Sequence, residues 1–149
     1  MTTLLVDTSV LIKWFHSEGE AGLSGSRAVR DASARGDLDV RVIDLAFYEM
    51  GNVLLRALRW SAADVADQLD DLATICGPPL AMEPAWLRRA ATLGTEHGLT
   101  FYDASWAAAG EALEVALVTA DSKLLAAGLG ETPGDVARRL RLPANARGT

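Results

Sequence analysis

The chain has 149 residues, half of them apolar and 23% charged, a composition typical of one globular domain. Its formal net charge of −6 argues against a protein that coats polyanions in general, but not against an enzyme that gathers acids to hold metal. The single cysteine, Cys76, excludes an internal disulfide and favours a reducing compartment, the cytoplasm. We expect neither a membrane span nor a signal peptide, because no apolar stretch is long enough and no basic region precedes one at the start.

Short apolar runs alternate with amphipathic segments along the chain. Strands are predicted at residues 4–6, 40–43, 79–82 and 115–119, and helices at residues 8–15, 28–35, 45–59, 61 onward, 84–97, 100–112 and 122–127. Strands separated by helices favour parallel βαβ units and a three-layer α/β/α sandwich around a mainly parallel sheet. We predict one domain at residues 1–142 and a loose C-terminal tail at residues 143–149.

Four acids occupy positions that ordinary surface acids do not favour. Asp7 and Asp121 each follow a predicted strand, and the carboxyl ends of parallel strands meet at the edge of the sheet where ligands bind. Glu49 and Asp103 fall on the apolar stripes of their helices, Asp103 sharing a face with Trp106. A carboxylate on such a stripe is costly unless it is paired, protonated or bound to a cation.

Each acid also has a purely structural interpretation. Asp7 and Asp121 can cap the helices that follow them, and Asp103 stands three residues after Thr100, as in a capping box. Glu49 can be a solvated helix residue, or can pair with Lys13 or Arg56. For each acid considered by itself, the structural interpretation is favoured over a catalytic role.

Taken together, the four acids favour a metal site. Four carboxylates at one edge repel one another, so some would hold protons near neutral pH unless a counter-charge is present. Mg²⁺ or Mn²⁺ supplies it, because hard cations bind oxygen ligands. With these four set aside, 16 acids remain against 14 Lys and Arg residues, which weakens the charge objection to a polyanionic substrate.

The segments that carry these acids resemble the motifs of a known family. Residues 6–12 (VDTSVLI), 48–54 (YEMGNVL), 99–106 (LTFYDASW) and 117–124 (LVTADSKL) are similar, in order and spacing, to the four motifs of PIN-domain nucleases. The length fits the compact VapC-type toxins of toxin–antitoxin pairs. Relatives often have a proline shortly before the second-motif acid, and residues 45–47 have none.

The resemblance implies a PIN-like fold and a metal-dependent endoribonuclease. Asp7, Glu49, Asp103 and Asp121 would form the acidic constellation, with Mg²⁺ as cofactor and Mn²⁺ as its substitute. It implies that Asp7, Asp103 and Asp121 are the metal ligands, and that Asp121 contributes only when a second ion or the substrate is bound. It also implies that Glu49 orients water or an ion. Ser9 and Thr119 match polar positions that support the site.

The resemblance also implies partners. VapC-like toxins act on RNA, bind a small VapB-like antitoxin and usually form homodimers. We expect the antitoxin near the first helices, where Trp14, Phe15, Leu23 and Val29 offer apolar side chains.

Two other classes remain open. A haloacid-dehalogenase-like phosphatase needs an acid two residues after Asp7, where this chain has Ser9. A phospho-receiver domain needs an acidic pair near the end of the first strand, which this chain lacks, although Lys123 resembles the lysine that such domains have after the last strand. A non-catalytic metal-tuned interaction module would function without an intact Asp103.

Overall fold

The computed structural model describes residues 1–16 and 23–143. Three strands alternate with eight α-helices in this part of the chain. In order they are β1 (Thr2–Val6), α1 (Thr8–Phe15), α2 (Leu23–Ala34), β2 (Leu38–Arg41), α3 (Leu45–Asn52), α4 (Ala62–Cys76), α5 (Pro84–His97), α6 (Phe101–Leu113), β3 (Ala116–Val118), α7 (Ser122–Ala126) and α8 (Pro133–Arg139). None of these helices is long and apolar enough to cross a membrane.

The sheet is parallel, with strand order β2-β1-β3. Leu4 lies opposite Val40 on one side and Ala116 on the other. The central strand is apolar over three consecutive residues, Leu4, Leu5 and Val6, and all three side chains are fully buried. Because successive side chains point to opposite faces of a sheet, helices must cover both faces. This confirms the predicted three-layer α/β/α sandwich.

The edges of the sheet differ from the prediction. The strand expected at residues 79–82 is a single parallel bridge, in which the Leu80 N–H donates to Val42 and the Leu80 carbonyl accepts from Asp44. Pro79 has no N–H to extend the ladder. A bridge on the other edge, between Val118 and Glu131, has no counterpart in the sequence prediction.

Two helical segments also depart from the prediction. The helix expected over residues 45–59 is α-helical only to Asn52 and continues as a π-helical turn over Val53–Ala57, in which the Leu58 N–H donates to the Val53 carbonyl. Helix α8 was not predicted, although Thr132 caps it and Pro133 opens it, which are ordinary start signals. The predicted tail lies outside the described residues, apart from Pro143.

Helix α6 is the most deeply placed helix of the described fold. Seven consecutive residues, 104–110, are buried, so the helix is covered all round and not only along one stripe. It packs against α5 and against β3, and Gly110 lets it approach Leu5 and Leu117 closely. Its N-terminus, capped by Thr100, presents Asp103 at the surface of this buried element.

Candidate active site

Asp7 follows β1 directly and is nearly inaccessible, with 4% of its surface exposed. It stands at the N-cap position of α1 without a side-chain capping hydrogen bond of ordinary geometry, but the Val10 backbone N–H in the first turn acts on its carboxylate, so capping explains this residue only in part. The Ser9 hydroxyl donates to its Oδ1 at 2.5 Å. Burial raises the pKa of Asp7 to about 6, aided by the charge of Glu49 and opposed by hydrogen bonds from Ser9, Thr119 and the Val10 backbone.

Two hydroxyls tie Asp7 to the loop after β3. Ser9 Oγ, which donates to Asp7, also accepts from the backbone N–H of Ala120 at 2.9 Å. Thr119 is fully buried, and its hydroxyl makes a hydrogen bond to the Asp7 carboxylate. The same hydroxyl oxygen accepts a hydrogen bond from the backbone N–H of Asp121 at 3.0 Å. The two polar residues expected to support the site therefore contact both the end of β1 and the segment that carries Asp121.

Glu49 projects from α3 and is half-buried. Its Oε1 atom accepts two hydrogen bonds, from the Thr8 hydroxyl at 3.0 Å and from the Trp106 indole N–H at 2.9 Å. These two donors were not identified from the sequence as partners of Glu49. The signal for one of them was present, because a buried indole on the site face of α6 needs an acceptor.

Asp103 and Asp121 form a second pair. Partial burial raises the pKa of Asp103, and the charge of Asp121 raises it further, whereas the Thr100 hydroxyl and Lys123 lower it. The capping interpretations of both acids hold in part. The Thr100 hydroxyl accepts from the Asp103 N–H, and Asp121 Oδ1 accepts from the N–H groups of Lys123 and Leu124.

The four acids are connected through these contacts. Asp7 interacts electrostatically with Glu49, and Asp103 with Asp121. Thr119 joins Asp7 to the Asp121 backbone, and Trp106, three residues after Asp103, joins α6 to Glu49. The structure thus places the four acids as two mutually repelling pairs, Asp7 with Glu49 and Asp103 with Asp121, which are linked through Thr119 and Trp106 among the described contacts.

The donor set suits a hard cation by its chemistry. All four side chains offer carboxylate oxygens, the ligands that Mg²⁺ and Mn²⁺ prefer. Within residues 1–16 and 23–143, however, no three His, Cys, Asp or Glu side chains form a ready-made metal-binding group. Mg²⁺ commonly takes one or two carboxylates and keeps several waters, so the arrangement fits an ion held by a subset of the acids.

The four tryptophans and Tyr102 differ in their burial. Trp14 and Trp106 are buried, and Trp60 and Trp86 pack against the core. Tyr102, next to Asp103, is 61% exposed. It lies in the first turn of α6, before the buried stretch of residues 104–110 begins.

The fold and motifs agree with known proteins. Residues 4–128 match the PIN domain family. Among curated proteins, Exonuclease VapC9 from Pyrobaculum aerophilum is 35% identical over 85 residues, which cover 57% of this chain. Those residues cover 64% of the relative, so the match spans just under two thirds of its length.

Solved structures share the same architecture. PAE2754 from Pyrobaculum aerophilum superposes with a TM-score of 0.65 at 28% identity, covering 94% of this chain and 97% of that one. A toxin–antitoxin complex from Klebsiella pneumoniae superposes with a TM-score of 0.62 at 18% identity, covering 87% and 97%, which supports the fold alone. The family match covers most of the chain, and the chain therefore belongs to the PIN domain family.

Proposed function

We propose that this protein is a divalent-metal-dependent endoribonuclease and the toxin of a VapBC-like toxin–antitoxin pair. The observation that carries the proposal is the presence of two repelling carboxylate pairs, linked through Thr119 and Trp106, one of them containing the almost inaccessible Asp7. Such an arrangement destabilises the metal-free protein, and a bound cation would relieve the repulsion. The name of the curated relative, an exonuclease, supports nuclease chemistry.

We assign Asp7 and Asp103 as the principal ligands of Mg²⁺ or Mn²⁺. A bound divalent ion lowers the pKa of its water and stabilises charge on a scissile phosphate. Ser9 and Thr119 hold the Asp7 carboxylate in place through their hydroxyls. The hydrogen bonds that Glu49 accepts from the described residues both reach Oε1, which leaves Oε2 to orient a water molecule.

Asp121 has a more limited role in this proposal. Its Oδ1 atom already caps α7, so only the other oxygen remains for a second ion or for the substrate. Lys123 is exposed and its charge reaches Asp103, which places a cation where a substrate phosphate can approach.

The first experiment measures cleavage of a mixed cellular RNA pool by purified protein with Mg²⁺, with Mn²⁺ and with chelator. We expect discrete fragments that require metal and are absent with Asp7→Asn. Asp70→Asn, an exposed substitution on α4, changes the net charge equally and should cleave like wild type. Cleavage that survives in chelator, or in Asp7→Asn, would contradict the metal-dependent site.

A circular RNA distinguishes endonuclease from exonuclease. Only an endonuclease opens a substrate without ends, so we expect linear products carrying a 5′-phosphate and a 3′-hydroxyl, the ends that the family resemblance implies. A matched single-stranded DNA circle tests the choice of RNA. An intact RNA circle beside degraded linear RNA would indicate the exonuclease activity that the relative's name states.

The partners in this proposal are a small antitoxin and a second copy of the chain. Of the four apolar side chains expected to face an antitoxin near the first helices, Trp14 and Val29 are buried in the core, whereas Phe15 and Leu23 are partly exposed. Exposed apolar side chains lie elsewhere in the described chain, and they are Met1, Tyr48, Leu55, Ile75, Leu87, Phe101, Tyr102 and Leu113. The Klebsiella neighbour is titled a toxin–antitoxin complex, and for this chain an antitoxin is a proposal.

Expression without an antitoxin tests the toxin role. We expect arrested growth that is relieved by a small open reading frame directly upstream, and no arrest with Asp7→Asn. Harmless expression of an active nuclease would overturn the toxin proposal and leave the nuclease one intact.

Light scattering that shows a strict monomer would exclude the homodimer. We propose the cytoplasm as the compartment, because RNA is there and Cys76 has no internal disulfide partner.

Membership of the PIN family removes the phosphatase and phospho-receiver alternatives. A non-catalytic interaction module remains as the competing function. It predicts that Asp103→Asn keeps full biological activity, whereas the nuclease proposal predicts its loss.

A further inference from the structure

Trp106 is the largest fully buried side chain of the described structure, with 1% of its surface exposed. An indole N–H is a donor only, and a buried one must find an acceptor. That acceptor is a carboxylate from another helix, Glu49 Oε1, at 2.9 Å. A backbone carbonyl would satisfy the indole equally well, as Trp14 shows by donating to the Ser26 carbonyl at 2.9 Å.

The second donor to Glu49 reaches the same oxygen. The Thr8 hydroxyl, which is also buried, donates to Oε1 at 3.0 Å. Both donors are neutral, so they orient the carboxylate without cancelling its charge, as an arginine or lysine partner would. Neither of them occupies Oε2, the oxygen that remains for a water or an ion.

From this geometry we infer that Trp106 and Thr8 are positioning residues, which hold Glu49 by Oε1 so that Oε2 serves the metal site. The inference rests on the proposed function, because it gives Glu49 its task there. Hydrogen bonds from outside the ligand set orient metal-site carboxylates in many proteins, and losing one typically costs 10- to 100-fold in affinity or activity. Here the supporting donor is a core tryptophan from α6, the helix that carries Asp103.

Trp14 provides a matched control for this role. It is a buried tryptophan with an equally short indole hydrogen bond, but its acceptor is the backbone of α2 and not a site acid. Trp106→Phe and Trp14→Phe each remove one indole N–H and a similar volume from the core. A merely structural role for Trp106 therefore predicts the same outcome for both variants.

The first readout is independent of RNA cleavage. The chain has four tryptophans, whose indole N–H signals are assigned in a ¹⁵N–¹H spectrum by single Trp→Phe substitutions. We expect Glu49→Gln, and titration of wild type with Mg²⁺, to move the Trp106 signal and leave the Trp14 signal in place. A Trp106 signal that responds to neither change would overturn the inference.

The second readout is kinetic, at a temperature where both variants are folded. For Trp106→Phe we expect kcat to fall about tenfold or more while KM for RNA stays within about twofold. Thr8→Val should give the same pattern to a smaller degree, and Trp14→Phe should leave both constants near wild type. Equal losses in the two tryptophan variants, or an unchanged kcat in Trp106→Phe, would refute the positioning role.

Failure of the proposed function gives a different result. If wild-type protein cleaves no RNA under any metal, the nuclease proposal fails. Mg²⁺ affinity measured by calorimetry then decides the positioning role, because Trp106→Phe must weaken binding and Trp14→Phe must not.

Discussion

Replacing Asp7 by asparagine should stabilise the metal-free protein at neutral pH while it abolishes activity. The Asp7 carboxylate is buried at the end of β1, and its pKa is raised from 3.8 to about 6, chiefly by desolvation and further by the charge of Glu49. Above that pH the folded protein holds an unfavourable charge that the unfolded chain exposes to water. Asparagine keeps the shape and removes the charge.

The magnitude follows from the shift in pKa. A rise of roughly two units corresponds to about 3 kcal/mol of unfavourable free energy in the folded state. Asparagine loses one acceptor among the hydrogen bonds from Ser9, Thr119 and Val10, at a cost of about 1 kcal/mol. We therefore expect a net gain of about 2 kcal/mol, or roughly 4–8 °C in Tm for a domain of this size.

The sign of the pH dependence provides the sharper test. Between pH 3.8 and 6 the folded wild type binds more protons at Asp7 than the unfolded chain, so its stability falls as the pH rises through this window. The gain in free energy of unfolding from Asp7→Asn should be absent near pH 4, should grow as the pH rises through this window and should reach its full value above about pH 7. Urea unfolding in chelator at pH 4, 5, 6 and 8 measures it.

Two controls accompany this measurement. Asp70→Asn, on the exposed side of α4, changes the charge equally and should show no such window. Adding Mg²⁺ should stabilise wild type by mass action and leave Asp7→Asn unaffected. The difference in stability between the two proteins should therefore shrink or change sign. A variant less stable than wild type at pH 8 in chelator, or a gain of the same size at pH 4, would refute the reasoning.

Three further outcomes are expected. Ser9→Ala removes a hydroxyl that lowers the pKa of Asp7, so the acidic limb of the pH–activity profile should move to higher pH; an unchanged limb would contradict this. Cys76 is buried and its pKa is raised to about 12, so native protein should react with a thiol reagent only at the rate of unfolding, and fast labelling would count against it. Gly25→Ala places a Cβ 2.6 Å from the backbone nitrogen of Gly134 and should cost about 1–3 kcal/mol in urea unfolding. Gly134→Ala should cost little, because its Cβ would meet only the Arg138 and Thr132 side chains, at 3.6 and 3.9 Å; similar costs for the two variants would refute the clash.

The boundaries of the prediction show which interactions are local. The α4 and α6 starts were readable because Ser61 and Thr100 cap the backbone three residues on, within one turn of the chain. The π-helical turn after Asn52 was not predicted, and the strand predicted at residues 79–82 is only a single-residue bridge at Leu80, because packing across elements decides both. The α8 start at Thr132 was local and readable, and was overlooked.

The positions of the acids were determined by local pattern, and their environment was not. An apolar run followed by an acid places Asp7 and Asp121 at strand ends in any parallel sheet. Whether Asp7 is buried depends on the helices around it. The sequence suggested that Trp14 and Val29 belong to an apolar surface for a partner, but both side chains are buried in the core. Helical periodicity identifies an apolar face, but it does not say which element covers that face.

The sequence by itself identified the candidate acids of this protein, since the identity and order of Asp7, Glu49, Asp103 and Asp121 need no coordinates. Only the tertiary structure decided how those groups are held. Glu49 takes its donors from Thr8 and Trp106, 41 and 57 residues away, and Ser9 bonds Ala120 across 111 residues. Hydrogen bonds between side chains so distant in sequence arise only when the sheet brings β1 beside β3 and α6 beside α3, and a one-dimensional pattern does not record that arrangement.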